Sequence, residues 1–378
     1  MSKTIVFPTA TIKDKTDIMY EGIVELIQQL NDDNNKVIIM SHDRSRVADL
    51  ESEIGSVEIC YRWQVRDMMK EDNEGNYILV GSNEDDMRMA ASTKTVLLTP
   101  KWSDVKDPGP IKYGLGIPTP KTLYKVIQII KNQKVWFYHL DLNDRSTVYS
   151  LTSANSRGDI SKSEREIVDG FRDSLKKGNR KYFKVLQLHF LASLIHNPMF
   201  KEVDIWSVMP SSSTDINEDL WALKERARIL MGKRLVNPLF IRHTEIKKSH
   251  HYTNITDRLY CDRHFQSIKI NPEYRNKIKG KVICVLDDYL TNGTSFESIR
   301  TLLIKAGAKK IILVSLGRFR RGSGIEYYKQ DYNIAGDVFT QNYSYELIEE
   351  IDISGEYNPQ ARNEIENLYS LIYSNDNS

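Results

Sequence analysis

Cysteine is scarce. Cys60, Cys261 and Cys284 are the only three in 378 residues, too few and too scattered for a disulfide framework or a zinc site. No apolar run approaches the roughly 18 residues a membrane span needs. The opening residues, MSKTIVFPTATIK, lead straight into a strand signal without an apolar leader core, so the chain is expected in the cytoplasm. Charge of one sign is missing as well. Lys and Arg number 53 against 51 Asp and Glu, a net +2, and so small a balance gives no global field for nucleic acid. Internal repeats are absent. What remains, 40% hydrophobic and 28% charged residues, is ordinary for a globular protein and suits one large or two ordinary domains. Basic clusters occur at Lys176, Lys177, Arg180 and Lys181, and at Arg318, Arg320 and Arg321; charge runs of this kind are usually solvated faces.

Strand and helix signals alternate over residues 4–132. Apolar runs at 4–7, 36–40, 77–80 and 96–98 read as strands, and 18–30 and 123–130 read as helices. This is an α/β, Rossmann-like pattern. A Pro/Gly-rich stretch at 107–120 interrupts it, and the spacing sets a domain boundary near residue 132, giving domains 1–132 and 133–378. In the second, 135–140 is an aromatic strand, 155–163 an exposed loop, and 164–177, 182–195 and 218–234 are helices. The polar tail after Ser374 is expected to be disordered.

The richest string is VICVLDDYLTNGTSF, residues 282–296. An apolar strand over 282–286 ends in Asp287 and Asp288. The loop Thr291, Asn292, Gly293, Thr294, Ser295 follows, and a helix is expected from Phe296, with Ile299, Leu302, Leu303 and Ala306 on one face. Gly307 stops it, and 310–316 is another buried strand. A helix start offers unpaired N–H groups and partial positive charge, and glycine permits close approach of an anion. The loop therefore suits a monoester phosphate, and the two carboxylates suit vicinal hydroxyls of a sugar. The plainer reading is a solvated Asp pair before a capped helix; the full string in register favours the functional one. Upstream, a strand at 203–208 runs into Pro210, Ser211, Ser212, Ser213 and Thr214. Such a loop can be only a loop, or can turn several N–H groups to phosphate oxygens.

The string V-L-D-D-Y-L-T-N-G-T-S resembles the phosphoribosyl-diphosphate (PRPP) motif of type I phosphoribosyltransferases, with no essential position missing. The resemblance implies that Thr291 to Ser295 bind the 5-phosphate, that Asp287 and Asp288 are catalytic carboxylates on the ribose diol, and that Pro210 to Thr214 form the pyrophosphate loop. It implies Mg²⁺ as cofactor, held mainly through substrate oxygens and water, with Asp287 and Asp288 as its protein contacts. The order of pieces is most similar to the competence-associated (ComF-type) branch over residues 164–320. A helix at 218–230 carries Lys224, Arg226 and Arg228. A basic segment holds Arg242, His243, Lys247 and Lys248, and Thr256, Asp257, Arg258, Asp262 and Arg263 precede the motif. Arg242, Lys247 and Arg226 are the candidates for neutralising charge on the leaving group. His243, His250 and His251 receive no base role. Where that branch carries R-G-F-N, this chain has Asp215, Ile216 and Asn217, which leaves acceptor recognition open.

Residues 1–132 resemble a haloacid dehalogenase-type (HAD) domain that has lost its acids. The nucleophile position holds Pro8 and the general-acid position Ala10, neither able to do that chemistry. Ser41 fits the second motif, and Ser82, Asn83 and Asp86 the last, with Ser82 in place of an acid. This half is expected to scaffold, regulate or recruit, although Ser41, Ser82 and Asn83 could hold a phosphorylated ligand. The whole is expected to be a Mg²⁺-dependent phosphoribosyltransferase with an unidentified acceptor and a protein or nucleoprotein partner, its oligomeric state open. By contextual analogy it resembles accessory proteins of prokaryotic defence systems beside a reverse transcriptase. The alternative is a non-catalytic PRPP- or nucleotide-binding regulator. Tyr327, Tyr328, Tyr332, Tyr343 and Tyr345 suit core packing or base stacking.

Overall fold

The computed structural model describes residues 2–43, 47, 50, 54, 57–142, 145–179, 181–247, 259–320 and 324–373. Arg180, Lys248, His250, His251, Thr256, Asp257, Arg258, Arg321 and the tail from Ser374 lie outside the described residues. The first third forms β1 (Thr4–Pro8), α1 (Ile23–Asp32), β2 (Lys36–Met40), β3 (Glu58–Cys60), α2 (Arg62–Glu71), β4 (Tyr77–Val80), α3 (Glu84–Thr93), β5 (Val96–Pro100), α4 (Pro108–Tyr113), β6 (Leu115–Ile117) and α5 (Pro120–Asn132). Its six strands make one all-parallel sheet in the order β3-β2-β1-β4-β5-β6. Helices flank it, an α/β arrangement consistent with a Rossmann-like domain. Both faces are covered, which is why Ile5, Val6 and Phe7 of β1 and Ile78, Leu79 and Val80 of β4 are continuous apolar runs with no exposure. The helix expected from residue 18 begins at Ile23, because Gly22 enters it at φ 78°. The residues before it form a turn in which the Asp14 carboxylate accepts from the amides of Thr16 and Ile18.

The remainder comprises β7 (Tyr138–Asp141), β8 (Ser146–Ser153), α6 (Lys162–Lys177), α7 (Phe183–Ile195), β9 (Ile205–Val208), α8 (Glu218–Leu230), β10 (Phe240–Arg242), α9 (Asp262–Phe265), β11 (Ile268–Ile270), β12 (Val282–Leu290), α10 (Thr294–Lys305), β13 (Lys310–Arg318), β14 (Tyr327–Gly336), β15 (Tyr343–Ile353), β16 (Glu356–Tyr357) and α11 (Gln360–Tyr373). The second sheet has the order β16-β7-β8-β13-β12-β9. Contrary to the expectation of a second parallel sheet, it is mixed: β8, β13, β12 and β9 run parallel, while β7 is reversed and pairs antiparallel with both β8 and the edge strand β16. Two antiparallel ribbons, β10–β11 and β14–β15, lie outside it.

Strand β8, STVYSLTS, has no apolar run to announce it, yet every residue is buried. Its central hydroxyls find partners inside the sheet. Ser150 shares a 2.6 Å hydrogen bond with Ser315, and Thr152 donates to the Leu316 carbonyl at 2.9 Å. Strand β12 does not stop at residue 286. It continues through the Asp pair to Leu290 because β13 runs beside it as far as Arg318.

Helix α7 is buried on all sides: of its thirteen residues, every one but Lys184 is in the interior. It touches β5, β6 and α5 of the first third, and α6, α8 and α11 beyond residue 132. One hydrophobic cluster thus runs from Ile5 and Leu98 through Leu186 and Leu194 to Cys284 and Val314. The aromatic residues of the terminal hairpin are packing groups. The Tyr332 and Tyr345 rings lie 4.9 and 4.8 Å from Phe265, and the Tyr343 hydroxyl lies 2.6 Å from the carbonyl oxygens of Phe265 and Ile268. No described helix is long and apolar enough to cross a membrane.

Candidate functional site

In open α/β sheets, crevices form beyond the carboxyl ends of the parallel strands. β9 ends at Val208, opposite Leu286 of its neighbour β12. The next two residues of β12, Asp287 and Asp288, therefore have a strand on one flank only. On the other flank the Ser-rich loop begins, with the Met209 amide donating to the Leu286 carbonyl at 2.7 Å. The loops expected to hold two phosphates thus leave the sheet at adjacent strand ends, with the carboxylate pair between them.

Each carboxylate accepts from the amide that follows it: Asp288 N–H to Asp287 Oδ1 at 2.8 Å, and Tyr289 N–H to Asp288 Oδ1 at 2.7 Å. Burial, reinforced by the neighbouring Asp288, pushes the Asp287 carboxyl up to about 8. The Asp288 amide and the charges of Lys176 and Arg242 oppose the shift. Two carboxylates side by side in a desolvated pocket resist being ionised together.

Two cations stand against this pair. Lys176, in the last turn of α6, forms an ion pair with Asp288 and lies 5.6 Å from the Tyr289 ring centre. Arg242, at the end of β10, is buried. Its Nε donates to the Ser211 carbonyl and its guanidinium to Ser267 Oγ, with His264 Nδ1 at 3.4 Å. Burial, with the nearby Arg263, pushes this guanidinium down to about 10, and Asp287 acts the other way. His264 is held well below the ordinary histidine range by burial and by Arg263 and Arg242. A neutral ring accepting at Nδ1 suits its place beside an obligate donor. Arg242 therefore links the Ser-rich loop to the carboxylates.

Gly293 opens α10 at φ 88°. Helix geometry leaves the amides of Thr294, Ser295 and Phe296 without intrahelical acceptors. The helix starts two residues before Phe296, since this glycine makes the turn. The Thr294 side chain does not face the crevice. It is buried, and its hydroxyl lies 3.1 Å from the Leu259 carbonyl and 3.2 Å from Asn292 Oδ1. The Thr291 carbonyl is held by Arg318, while Asn292 receives the Tyr328 amide on its carbonyl at 2.9 Å. Thr291, Asn292 and Ser295 are half-buried. In the other loop, Ser211 Oγ lies 2.6 Å from the Asp215 carbonyl and 3.0 Å from Ser213 Oγ, and the Ile246 amide donates to the Ser212 carbonyl. Pro210, Ser212 and Ser213 are half-buried and Thr214 is exposed.

Of the three expected charge neutralisers, Arg242 is brought to the pair. Lys247 is exposed, next to the Ile246 amide that bonds Ser212. Arg226 is not brought there. Its guanidinium lies 6.0 Å from the Phe183 ring, and it lines a small gap with Met87, Ala90 and Leu191, because the turn of α8 directs it at the first sheet. Two cations at this site read in the sequence as solvated charge. Lys176 carries no local signal. Arg318 does carry one, a cation closing an apolar strand opposite the motif. It is buried, bonds the carbonyls of Thr291 and Glu326, and lies 4.8 Å from the Tyr138 ring.

The corresponding edge of the first sheet is occupied by the protein's own chain. Pro8 ends β1, and the Ala10 carbonyl accepts from Ser103 Oγ at 2.8 Å. Ser103 also approaches Ser82 Oγ at 3.3 Å, and Trp102 donates to the Thr11 carbonyl at 3.1 Å. Ser41 closes a turn onto the Asp43 carbonyl, and Asn83 caps α3 by accepting from the Asp86 amide at 2.8 Å. Asp86 is consumed by the amides of Ser82 and Asn83 and by Arg62 at 2.6 Å. The polar groups left for a phosphorylated ligand at these strand ends are thus engaged internally.

Among the described residues no cluster of three or more His, Cys, Asp or Glu is arranged to hold a metal ion. No family model matches the chain, and neither does any curated protein or solved structure.

Proposed function

We propose that the crevice at the end of β12 binds PRPP and that the protein is a phosphoribosyltransferase. The observation that carries this reading is the carboxylate pair between two hydroxyl-rich loops at adjacent strand ends, with Lys176 and Arg242 against it. In this reading the 5-phosphate meets the first-turn amides of α10, where a helix start attracts an anion. The ribose hydroxyls donate to Asp287 and Asp288. The pyrophosphate lies over residues 210–214, with Arg242 behind it. The acceptor's nucleophilic atom forms a bond to the anomeric carbon. The bond from that carbon to the pyrophosphate oxygen breaks, its electron pair leaves with pyrophosphate, and the acceptor's proton passes to solvent. Catalysis comes from positioning and from cations beside the leaving group.

Mg²⁺ fits this donor set. Two adjacent carboxylates, one with its pKa raised by burial, are hard oxygen ligands that gain from a dication. Asp287 and Asp288 would hold it together with substrate oxygens and water, and when bound it supplies positive charge opposite the pyrophosphate. The segment at 101–107, packed over the first sheet's edge, supports a scaffolding or recruiting role for that half.

The test is calorimetry with PRPP and Mg²⁺. Replacing Asp287 and Asp288 together by Asn should abolish binding, and unchanged affinity would reject the reading. The alternative, a PRPP-binding regulator without chemistry, uses the same groups. Pyrophosphate release on incubation with a panel of acceptors, including RNA, DNA and protein, separates the two. An adjacent reverse-transcriptase gene would support the defence-system context, and a housekeeping purine or pyrimidine locus would count against it.

A further inference from the structure

Between α2 and α3 the first sheet carries a cavity of about 500 Å³, whose walls include His42, Tyr61, Arg62, Trp63, Arg66 and Arg88. This volume lies within the range of small-ligand sites. Three guanidinium groups face it against one wall carboxylate, Asp85, which pairs with Arg88 at 3.4 Å in an exposed position.

The three arginines are not equivalent. Arg62 is fixed from behind: it donates to Asp86 Oδ1 at 2.6 Å, on a carboxylate with no solvent exposure, and its Nε lies 3.3 Å from His42 Nε2. Asp86 is in turn held by the Ser82 amide at 3.1 Å. The guanidinium still has 21% of its side chain open. Arg66 and Arg88 are exposed charges at the rim, Arg66 3.9 Å from Asp67 and Arg88 3.4 Å from Asp85.

Beside these cations stand two solvent-exposed aromatic rings. Trp63 is 60% exposed and Tyr61 36%. Both flank the first turn of α2, and neither belongs to a core cluster. A lone exposed aromatic is ordinary; here two adjoin a concave basic wall, the combination of aromatic lining and convergent polar groups that small-ligand sites use. A flat ring offers a face for stacking, and an oriented guanidinium offers paired donors to phosphate.

We propose that this cavity binds a nucleoside phosphate, with its base against Trp63 and Tyr61 and its phosphate on Arg62, flanked by Arg66 and Arg88. The ligand is either a free nucleotide or a nucleotide within a single strand; the groups that recognise it are the same. The site does not depend on the ribosyl-transfer reading, since none of its residues touches the crevice at β12.

The test titrates the full-length protein with AMP, ATP, adenosine, inorganic phosphate and a ten-nucleotide single-stranded DNA, reading tryptophan emission and calorimetric heat. Trp63 is the tryptophan most open to solvent, so AMP and ATP should quench emission saturably. Adenosine or phosphate alone should bind at least tenfold more weakly. The double variant Arg66→Ala/Arg88→Ala, which alters only exposed side chains, should lose at least tenfold in affinity with an unchanged circular dichroism spectrum. Trp63→Phe should abolish the quench while calorimetry still detects binding. The Asp287→Asn/Asp288→Asn variant should bind as the wild type does. A strand binding tenfold more tightly than AMP would identify a nucleotide within nucleic acid, and equal affinity a free nucleotide. Absence of saturable binding by AMP, ATP and the strand would overturn the proposal. So would equal affinity in the arginine variant, or binding lost with the aspartates.

Discussion

Burial and the neighbouring Asp288 together disfavour charge on Asp287 and raise its carboxyl well above the ordinary aspartate range. That shift has a sign for stability. The unfolded carboxyl titrates at about 4, and the folded one at about 8. Between those values the folded state binds the extra proton, so stability falls as pH rises through this window. The contribution is fully present below about pH 4 and lost as pH rises through the raised folded value. Asp287→Asn removes the titration. Its melting temperature should match the wild type near pH 5 and exceed it near pH 8.5. Thermal melts followed by circular dichroism at the two pH values check this, and a difference independent of pH would contradict it. Mg²⁺ with PRPP should narrow the gap at high pH by stabilising the ionised pair.

The start of α10 depends on one glycine. A Cβ on Gly293 would meet the Tyr327 ring at 2.5 Å. That ring cannot give way, because it is fully buried and its hydroxyl is bound to Glu297 at 2.6 Å. Positive φ adds strain for any L side chain. Gly293→Ala should therefore cost about 1–3 kcal/mol, measured by urea unfolding, and weaken PRPP binding with it. Helix α7 carries a different liability. His189 lies at its centre, wholly buried, with neither ring nitrogen hydrogen-bonded among the described residues. Burial pushes it down to about 3. Here the unfolded state binds the extra proton, so this residue's contribution is present above about pH 6.5 and lost as pH falls towards 3. His189→Leu should shrink the drop in melting temperature between about pH 7 and about pH 5. An unchanged drop would place the acid sensitivity elsewhere.

Across the chain as a whole, α7 joins what the spacing of the sequence divides near residue 132. It is apolar on every face, with β5, β6 and α5 on one side and α6, α8 and α11 on the other. A helix of that kind is stable only when enclosed. The full chain should unfold in one cooperative transition, with circular dichroism and tryptophan emission giving coincident curves. A fragment of residues 133–378 should expose α7 and bind a hydrophobic dye. A compact, dye-free fragment with a sharp melt would show that the two halves fold separately.

What could be read from the chain is what is encoded locally. The strand, acid pair, glycine turn and helix at 282–305 lie in one continuous stretch, and each follows from neighbouring residues: apolar run, carboxylates, positive-φ glycine, amphipathic spacing. Four of the six parallel strands of the first sheet, β1, β2, β4 and β5, were legible for the same reason, as short apolar runs between helices; β3 and β6, three residues each, carry too short a run to be read. Other features depend on partners far away in the chain. Lys176 reaches Asp288 across 112 residues, and no periodicity on α6 distinguishes it from a solvated lysine. Strand β8 reads as polar because Ser150 and Thr152 find their partners on β13, 165 and 164 residues away. At the strand ends of the first sheet, Ser82 reads as available until Ser103 is seen against it. Secondary structure follows from neighbours along the chain; burial, pairing of charge and the occupation of a crevice follow from neighbours in space.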